Sequence, residues 1–547
     1  MSERLPWAAA VALAFAAYAI SLGGFYIPHI GDEAPYIEIT RLTAESGRWL
    51  PLKTPPGLEN TKPPLLFWLG IVSSNWGRDW TLLRLRLPIV AVTFLTAFAV
   101  GWLTLRLRGE PKHAVISALT FLSFYSSFQY GRPFLTNLPE TLGAFSSFAL
   151  VVFRGDRESV FPWILSGLAL ATACLSKSFA LVVPVGLALA VCLSMEGRLR
   201  HDFWRLLLVV GMGLGGFSLW PLLDPDPAAV VKQFVVGENL QKLSSGDYWT
   251  GLFQGPYALH LFWLGPFANA GLFALPVAVV LFDCFRNRAR ISFEERALLV
   301  FFLAFLFVYT IPGQRQGNYL IPTTPALAIL VGLRWLDFRP SGYRWFSLPG
   351  LALAAALLPL VLAIRRDVLP EPGGYGFWHI AFLVLLVALW SASFLVPALA
   401  RQGFHALVFL TFVSIAVGLA PFEGPRGRFD PARVQLMRRR TVLVPSEFVS
   451  RYERHRFLLP GARVRGYDPA DADAVSRLLE QGRLVVVHRP VGTEVEGPYR
   501  VVARRLDLRS RQSLREIARI VFEHDLDLLV REELILRRYR FPRLIKR

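Results

Sequence analysis

Thirteen apolar segments, most of them close to twenty residues long, leave this 547-residue chain few ways to fold. They fall at roughly 6–27, 87–105, 114–130, 138–153, 160–176, 179–195, 205–223, 259–284, 297–312, 319–336, 346–364, 377–398 and 404–421. Each is long enough, or nearly so, to cross a hydrocarbon layer of about 30 Å as a helix. Hydrophobic residues make up 54% of the chain and charged residues only 18%, with a mean hydropathy of +0.42, which is too apolar for an ordinary soluble enzyme. The expected fold is a polytopic α-helical membrane protein of about 13 spans.

The loops give an orientation. Arg106, Arg108 and Lys112 share one loop, and Arg154 and Arg157 another; then come Arg198, Arg200 and Arg205. Arg286, Arg288 and Arg290 follow, then Arg334, Arg339 and Arg344, then Arg401. These are every second loop, beginning after the second span, and the positive-inside bias assigns them to the cytoplasm. The intervening loops, including 28–86 and 224–258, then face the exterior, and the odd number of spans puts the C-terminal tail there too. The net charge of +19 would suggest nucleic acid in a soluble protein, but here much of it sets topology, so no nucleic-acid partner is expected. Cys174, Cys192 and Cys284 lie in or beside spans, with no CxxC motif and no disulfide framework. Met1–Pro6 runs straight into the first span and reads as an uncleaved anchor.

Beyond about residue 421 the pattern changes. Short β-type runs (Thr441–Val444, Arg483–His488, Tyr499–Arg505, Leu534–Tyr539) alternate with amphipathic helical stretches at 447–458, 472–481 and 512–524. The expectation is a membrane domain over 1–421 and a small exterior α/β domain over 422–547. The tail carries 28 Lys and Arg against 17 Asp and Glu, so it can sit against anionic headgroups or lipopolysaccharide phosphates, or simply present a solvated basic surface.

The chemistry-bearing residues collect in the exterior loops. GDEAPYIEITRL at 31–42 sets Asp32 and Glu33 just past the first span, with Tyr36 and Glu38 on the helical stretch behind them. A carboxylate there can act as a base or as the partner of a developing sugar cation, or can be a mere headgroup contact. Asp32 is the stronger candidate, because a helix N-terminus holds a carboxylate ionised. Lys62 precedes Pro63 and Pro64, which fix the backbone and keep the lysine out of the helix behind it. An ammonium at headgroup level is a natural partner for a lipid phosphate, and simple snorkelling at the interface is the less favoured alternative. Lys177 is the only charge between Phe161 and Met195, so the chain must turn there or line a cavity. GENLQKL at 237–243 and GQRQGNYLIP at 313–322 add Lys242, Arg315, Asn318 and Tyr319 to the same face. Asp224-Pro-Asp226 mimics a DxD motif but reads as a helix-end turn, and HExxH, Walker A and GxSxG motifs are absent.

Taken in order, GDEA, KPPL, LSKSFALVVP, ENLQK and QRQGNYLIPTTPALAIL resemble the bacterial aminoarabinose–lipid A transferases. Those enzymes stand with the protein O-mannosyltransferases in the GT-C class of membrane glycosyltransferases. The resemblance implies a GT-C type fold and transfer of a sugar from a polyprenyl (undecaprenyl) phosphate to a lipid A, polysaccharide or protein acceptor. It implies a bacterial inner membrane location, with a periplasmic C-terminal domain and periplasmic catalytic loops. By this likeness Asp32, with Glu33 beside it, matches the catalytic acidic position. Lys62 matches the lysine of an EKPP motif, Lys177 that of a TKGP motif, and Lys242 the arginine of ENxxRF. Tyr319 matches the tyrosine of an R/K-x-x-x-Y-L-L-P pattern, and Arg315 stands at its cationic position. Lys62, Lys177, Lys242, Arg315 and Tyr319 are therefore the expected donor-phosphate group. Thr61 replaces the glutamate of EKPP, which puts in doubt any metal that glutamate would bind; a divalent metal stays open but unsupported, and no residue is assigned as a metal ligand. Asn137 stands where many relatives have Asp, and Pro35 where the aminoarabinose enzymes often have Arg. A transporter or flippase of lipid-linked sugars is the alternative, but its buried mid-membrane charges and paired repeats are not seen. A noncatalytic scaffold would need neither Asp32 nor Lys62.

Overall fold

The structure is a computed structural model of the chain. It describes residues 4–26, 32–55, 60, 62–240, 248–369, 374–446, 450–471, 473–508, 516, 519–520, 523 and 525–539. Helices occupy every one of the apolar segments. Seven are long and apolar enough by themselves to cross a membrane: Leu82–Arg108, Leu199–Leu223, Gly265–Arg286, Gly317–Asp337, Pro340–Asp367, Phe377–Leu395 and Pro397–Glu423. Trp7–Ala19, Phe161–Ser176 and Phe179–Met195 are shorter apolar helices. The chain is a multi-pass membrane protein.

The N-terminal region holds four helices: α1 (Arg4–Ala19), α2 (Glu33–Glu45), α3 (Leu65–Ser73) and α4 (Leu82–Arg108). Helix α1 packs on the last membrane helix, so the two ends of the membrane region are neighbours. Helix α2 has polar and buried apolar positions, and it lies between α3 and the turn Arg451–Arg456 of the C-terminal part.

Three spans expected to be continuous are broken. The 114–130 segment is helical over Pro111–Ser123 and again over Tyr125–Tyr130, with Phe124 extended between them. The 259–284 segment is interrupted at Leu264, just before Pro266 in the first turn of the next helix, and at Gly271, whose φ is +59°. The two breaks explain each other: a Cβ on Gly271 would lie 2.6 Å from Cβ of Tyr125, so only glycine admits that packing. The 319–336 segment opens as a tight turn, Gly317–Thr323, containing Pro322, before the helix Thr324–Arg334. Proline lacks the N–H that a longer helix would need there.

The C-terminal part forms one five-stranded mixed sheet of β1 (Thr441–Pro445), β2 (Arg463–Tyr467), β3 (Leu484–Arg489), β4 (Tyr499–Leu508) and β5 (Val530–Arg538). The strand order is β2-β1-β3-β5-β4. Strand β1 runs parallel to β2 and β3, and β5 runs antiparallel to β3 and β4. Strand β2 is an addition to the four runs legible in the sequence. Its RVRGY pattern buries only Val464, so it lacks the apolar alternation that marks the others. The helix Ala474–Glu480 makes the crossover from β2 to β3, which flank β1 on either side and both run parallel to it. The expected helix at 512–524 falls largely outside the described residues.

The sheet is fastened to the membrane helices by buried charge. Arg505 donates to Glu533 at 2.6 Å and to Asp507 at 3.0 Å, and the Tyr26 hydroxyl donates to Asp507 at 2.6 Å. His455 and His488 both face Glu533, at 3.1 and 2.9 Å. Burial opposes ionisation of Glu533, yet Arg505 and the histidines outweigh it and hold the carboxyl well below its ordinary range. Nearer the membrane, Arg41 of α2 donates to Glu453 at 2.5 Å, and the Tyr452 hydroxyl donates to Glu38 at 2.6 Å.

Candidate active site

Asp32, Lys62, Lys177 and Tyr319 come from four separate loops and line one cavity of about 480 Å³. Tyr36, Asn137, Glu140, Glu238, Asn239 and Tyr309 complete much of its wall.

Asp32 is the residue at the N-terminus of α2, in the position a capping side chain takes, but its carboxylate makes no cap bond. It is exposed, and among the described residues its side chain has no ion-pair partner. Tyr36 lies one turn on and is buried. Burial first, then the charge of Asp32, pushes its phenol well above its ordinary pKa, so it stays a hydrogen-bond donor.

Glu33 goes elsewhere. Its side chain turns away from the cavity and accepts from Arg86 Nε at 2.7 Å and Nη2 at 2.8 Å, and from the Phe134 N–H at 2.9 Å. Burial pulls its pKa upward, but the Arg86 guanidinium and these hydrogen bonds overcome that and bring it down to about 2. The expectation that Glu33 shares the chemistry of Asp32 is corrected: adjacent helical residues point about 100° apart, and only one of the pair reaches the cavity.

The two lysines are held by carboxylates. Asn60 brackets the backbone of Lys62, and Pro64 starts α3. Lys62 Nζ then lies 2.8 Å from Glu238 Oε1. Lys177 ends the helix Phe161–Ser176, where the backbone turns. Its Nζ sits 2.8 Å from Glu140 Oε2 and 5.6 Å from the centre of the Tyr319 ring. The next residue, Ser178, donates to Asn239 Oδ1 at 2.7 Å. That bond ties the lysine loop to the wide π-helical segment Val231–Leu240, which also carries Glu238. Such segments recur at functional sites because they displace side chains from the regular helical register.

Arg315 does not line the cavity. Its guanidinium is buried and donates to the backbone carbonyls of Thr310, at 2.7 Å, and Tyr257, at 3.2 Å, beneath the Tyr248 ring. It braces the loop that presents Tyr319, and its expected contact with donor phosphate is corrected on that geometry. Lys242 lies outside the described residues. Glu140 and Glu238 join the site without having stood out in the sequence. Glu140 is the only charge in the 138–153 span, and an ionisable group there is itself a signal.

Among the described residues, the one set of three potential metal ligands within reach of a common ion is His488, Asp507 and Glu533, in the sheet region. Arg505, Arg531 and Tyr26 already donate to those carboxylates.

No protein-family model matches the chain. It is 27% identical over 363 residues to the undecaprenyl phosphate-alpha-4-amino-4-deoxy-L-arabinose arabinosyl transferase of Pectobacterium carotovorum, covering 62% of this chain and 63% of that one. The second transferase of that name in Pseudomonas fluorescens is 23% identical over 391 residues, 69% of this chain and 64% of the relative. The chain thus spans a little under two thirds of the length of these relatives. The crystal structure of ArnT from Cupriavidus metallidurans bound to undecaprenyl phosphate superposes with a TM-score of 0.64 at 17% identity, covering 88% of this chain and 92% of that one. The apo structure of the same protein gives 0.62. The chain is a multi-pass membrane protein with the GT-C fold, similar in sequence and architecture to the undecaprenyl phosphate–aminoarabinose transferases.

Proposed function

We propose that this chain is a membrane glycosyltransferase that moves a sugar from a polyprenyl phosphate, of the undecaprenyl type, to a lipid or glycan acceptor. The reaction takes place at the periplasmic face of a bacterial inner membrane. The observation that carries this reading is the meeting of Asp32, Lys62, Lys177 and Tyr319 in one cavity, from positions spread over nearly 290 residues.

The chemistry is set by the groups present. An acceptor hydroxyl or phosphate oxygen attacks the anomeric carbon, and the bond from that carbon to the phosphate oxygen breaks. Asp32, exposed at the cavity wall, takes the proton of a hydroxyl acceptor. The electron pair leaves on the lipid phosphate, where charge develops and where Lys62 and Lys177 stabilise it. Tyr319 stands over Lys177 and keeps its ammonium from turning away.

The test is a transfer assay with purified protein, radiolabelled polyprenyl-phosphate sugars and outer-membrane lipid acceptors. Transfer from at least one donor is expected, and no transfer across the panel would sink the reading. Lys62→Ala and Lys177→Ala should each weaken donor use by about 1.5–3 kcal/mol while sparing acceptor use. A donor titration unchanged in both variants would reduce these lysines to interfacial anchors.

Topology is a second check. The basic loops segregate from the cavity: Arg154, Arg157 and Arg198 share ion pairs with Glu196, Asp202 and Glu158, while Arg108, Arg334 and Arg339 meet around a separate cleft. A phosphatase fusion at about residue 430 should be active outside the cytoplasm, and one at about residue 290 silent. The reverse pattern would place the cavity on the cytoplasmic side and remove the periplasmic assignment.

A further inference from the structure

A second cleft, of about 670 Å³, lies at the seam between the membrane helices and the sheet, and it shares no lining residue with the cavity of Asp32. Its floor is made where three membrane helices end: Gly23 follows α1, Leu82 begins α4, and Glu423 closes the last helix. Whatever occupies it therefore sits at the level where hydrocarbon gives way to headgroups.

The chemistry of its walls is one-sided. Arg428, Arg438 and Arg456 line it, and its one carboxylate, Glu423, is already engaged by the backbone N–H groups of Phe25 and Tyr26. Arg456 is held by Glu453 at 2.8 Å. Arg428 and Arg438 are exposed, and among the described residues neither guanidinium has an ion-pair partner. The Arg438 stem lies across Gly461, at φ +82°, which has no side chain to lift it out of the cleft. Trp80 also lines the cleft, its ring stacked on Phe457 at 12° to make an aromatic wall beside the arginines. The segment 424–440 carries six arginines against one aspartate, Asp430, and that carboxylate caps the helix directly after it.

Guanidinium forks are matched to phosphate oxygens, and an indole at the bilayer surface is matched to the zone between phosphate and acyl chain. We propose that this cleft seats the headgroup of an anionic phospholipid of the surrounding leaflet. Arg428 and Arg438 hold its phosphate, and the half-buried rings of Trp80 and Phe457 face its glycerol and first methylenes. The lipid is then a mortar between sheet and bundle, separate from any substrate.

The test uses the full-length protein in a neutral detergent, titrated with dihexanoyl phosphatidylglycerol, dihexanoyl phosphatidylcholine and inorganic phosphate by thermophoresis. Saturable binding of phosphatidylglycerol is expected, with phosphatidylcholine and inorganic phosphate at least about tenfold weaker. The double variant Arg428→Gln/Arg438→Gln should lose about tenfold or more of that affinity at an unchanged melting temperature. Arg426→Gln/Arg440→Gln, exposed residues outside the cleft, should keep it. Equal losses in both double variants would mean diffuse surface attraction and overturn the site. So would an unaffected cleft variant, or inorganic phosphate binding as tightly as the lipid.

Discussion

Asp32→Asn is expected to abolish sugar transfer while leaving the folded protein and its membrane insertion intact. The substitution keeps the shape of the side chain and removes its capacity to take a proton. A positioned general base contributes about 10²–10⁴-fold in rate, so the residual activity should fall to that extent. Nothing in the packing should change, because the carboxylate is exposed and makes no cap bond to α2. The measurement is single-turnover transfer alongside a thermal melt in detergent. Wild-type turnover in the variant would end the assignment of Asp32 as the base.

Its neighbour should behave in the opposite way. Glu33→Gln leaves the Arg86 guanidinium fully buried with its charge uncompensated, and breaking such a pair costs about 3–5 kcal/mol. The same ion pair carries a pH dependence with a definite sign. A carboxyl whose pKa falls from 4.5 unfolded to about 2 folded stabilises the protein above the higher value. That stability is lost as pH drops through the window between them. The wild-type melting temperature should therefore decline steeply below about pH 4.5, and the variant should show a flatter profile from a lower start. If Glu33→Gln melted like wild type yet failed to transfer, Glu33 would belong to the chemistry after all.

The contrast between these two residues shows where sequence stops being informative. Both are acidic, adjacent and just past a span, and the string GDEA carries no mark of which one turns inward. That is decided by Arg86, which lies 53 positions away and a full loop later. The spans themselves are readable because lipid imposes length and apolarity on each segment separately. The breaks are less so. Pro322 announces one, but the gap at Phe124 exists because Gly271, on a distant segment, makes room for Tyr125.

For the cavity, Asp32, Lys62, Lys177 and Tyr319 stand out because each is chemically conspicuous in its stretch, and the fold brings those four together. Arg315 is conspicuous in the same way and directs its charge to backbone carbonyls. A cation in a loop declares its charge but not its direction. Glu140 is harder to see, although a lone carboxylate in an apolar span needs a partner, and the otherwise unexplained lysine at 177 is that partner.

The two carboxylate–lysine pairs also bear on turnover. On the proposed reading, an arriving donor phosphate meets ammonium groups that already have counterions, Glu238 and Glu140. Loading is then an ion exchange, in which the carboxylates are displaced and each lysine swaps one anion for another. The spent lipid is a phosphate monoester, with a charge of about −1.5 to −2 at pH 7, whereas the donor is a diester with a single charge. Left to the lysines alone, the product would be the tighter ligand and the enzyme would stall on it. The resident glutamates are a local competitor that never diffuses away, so they contend with the leaving lipid at each cycle and reset the site.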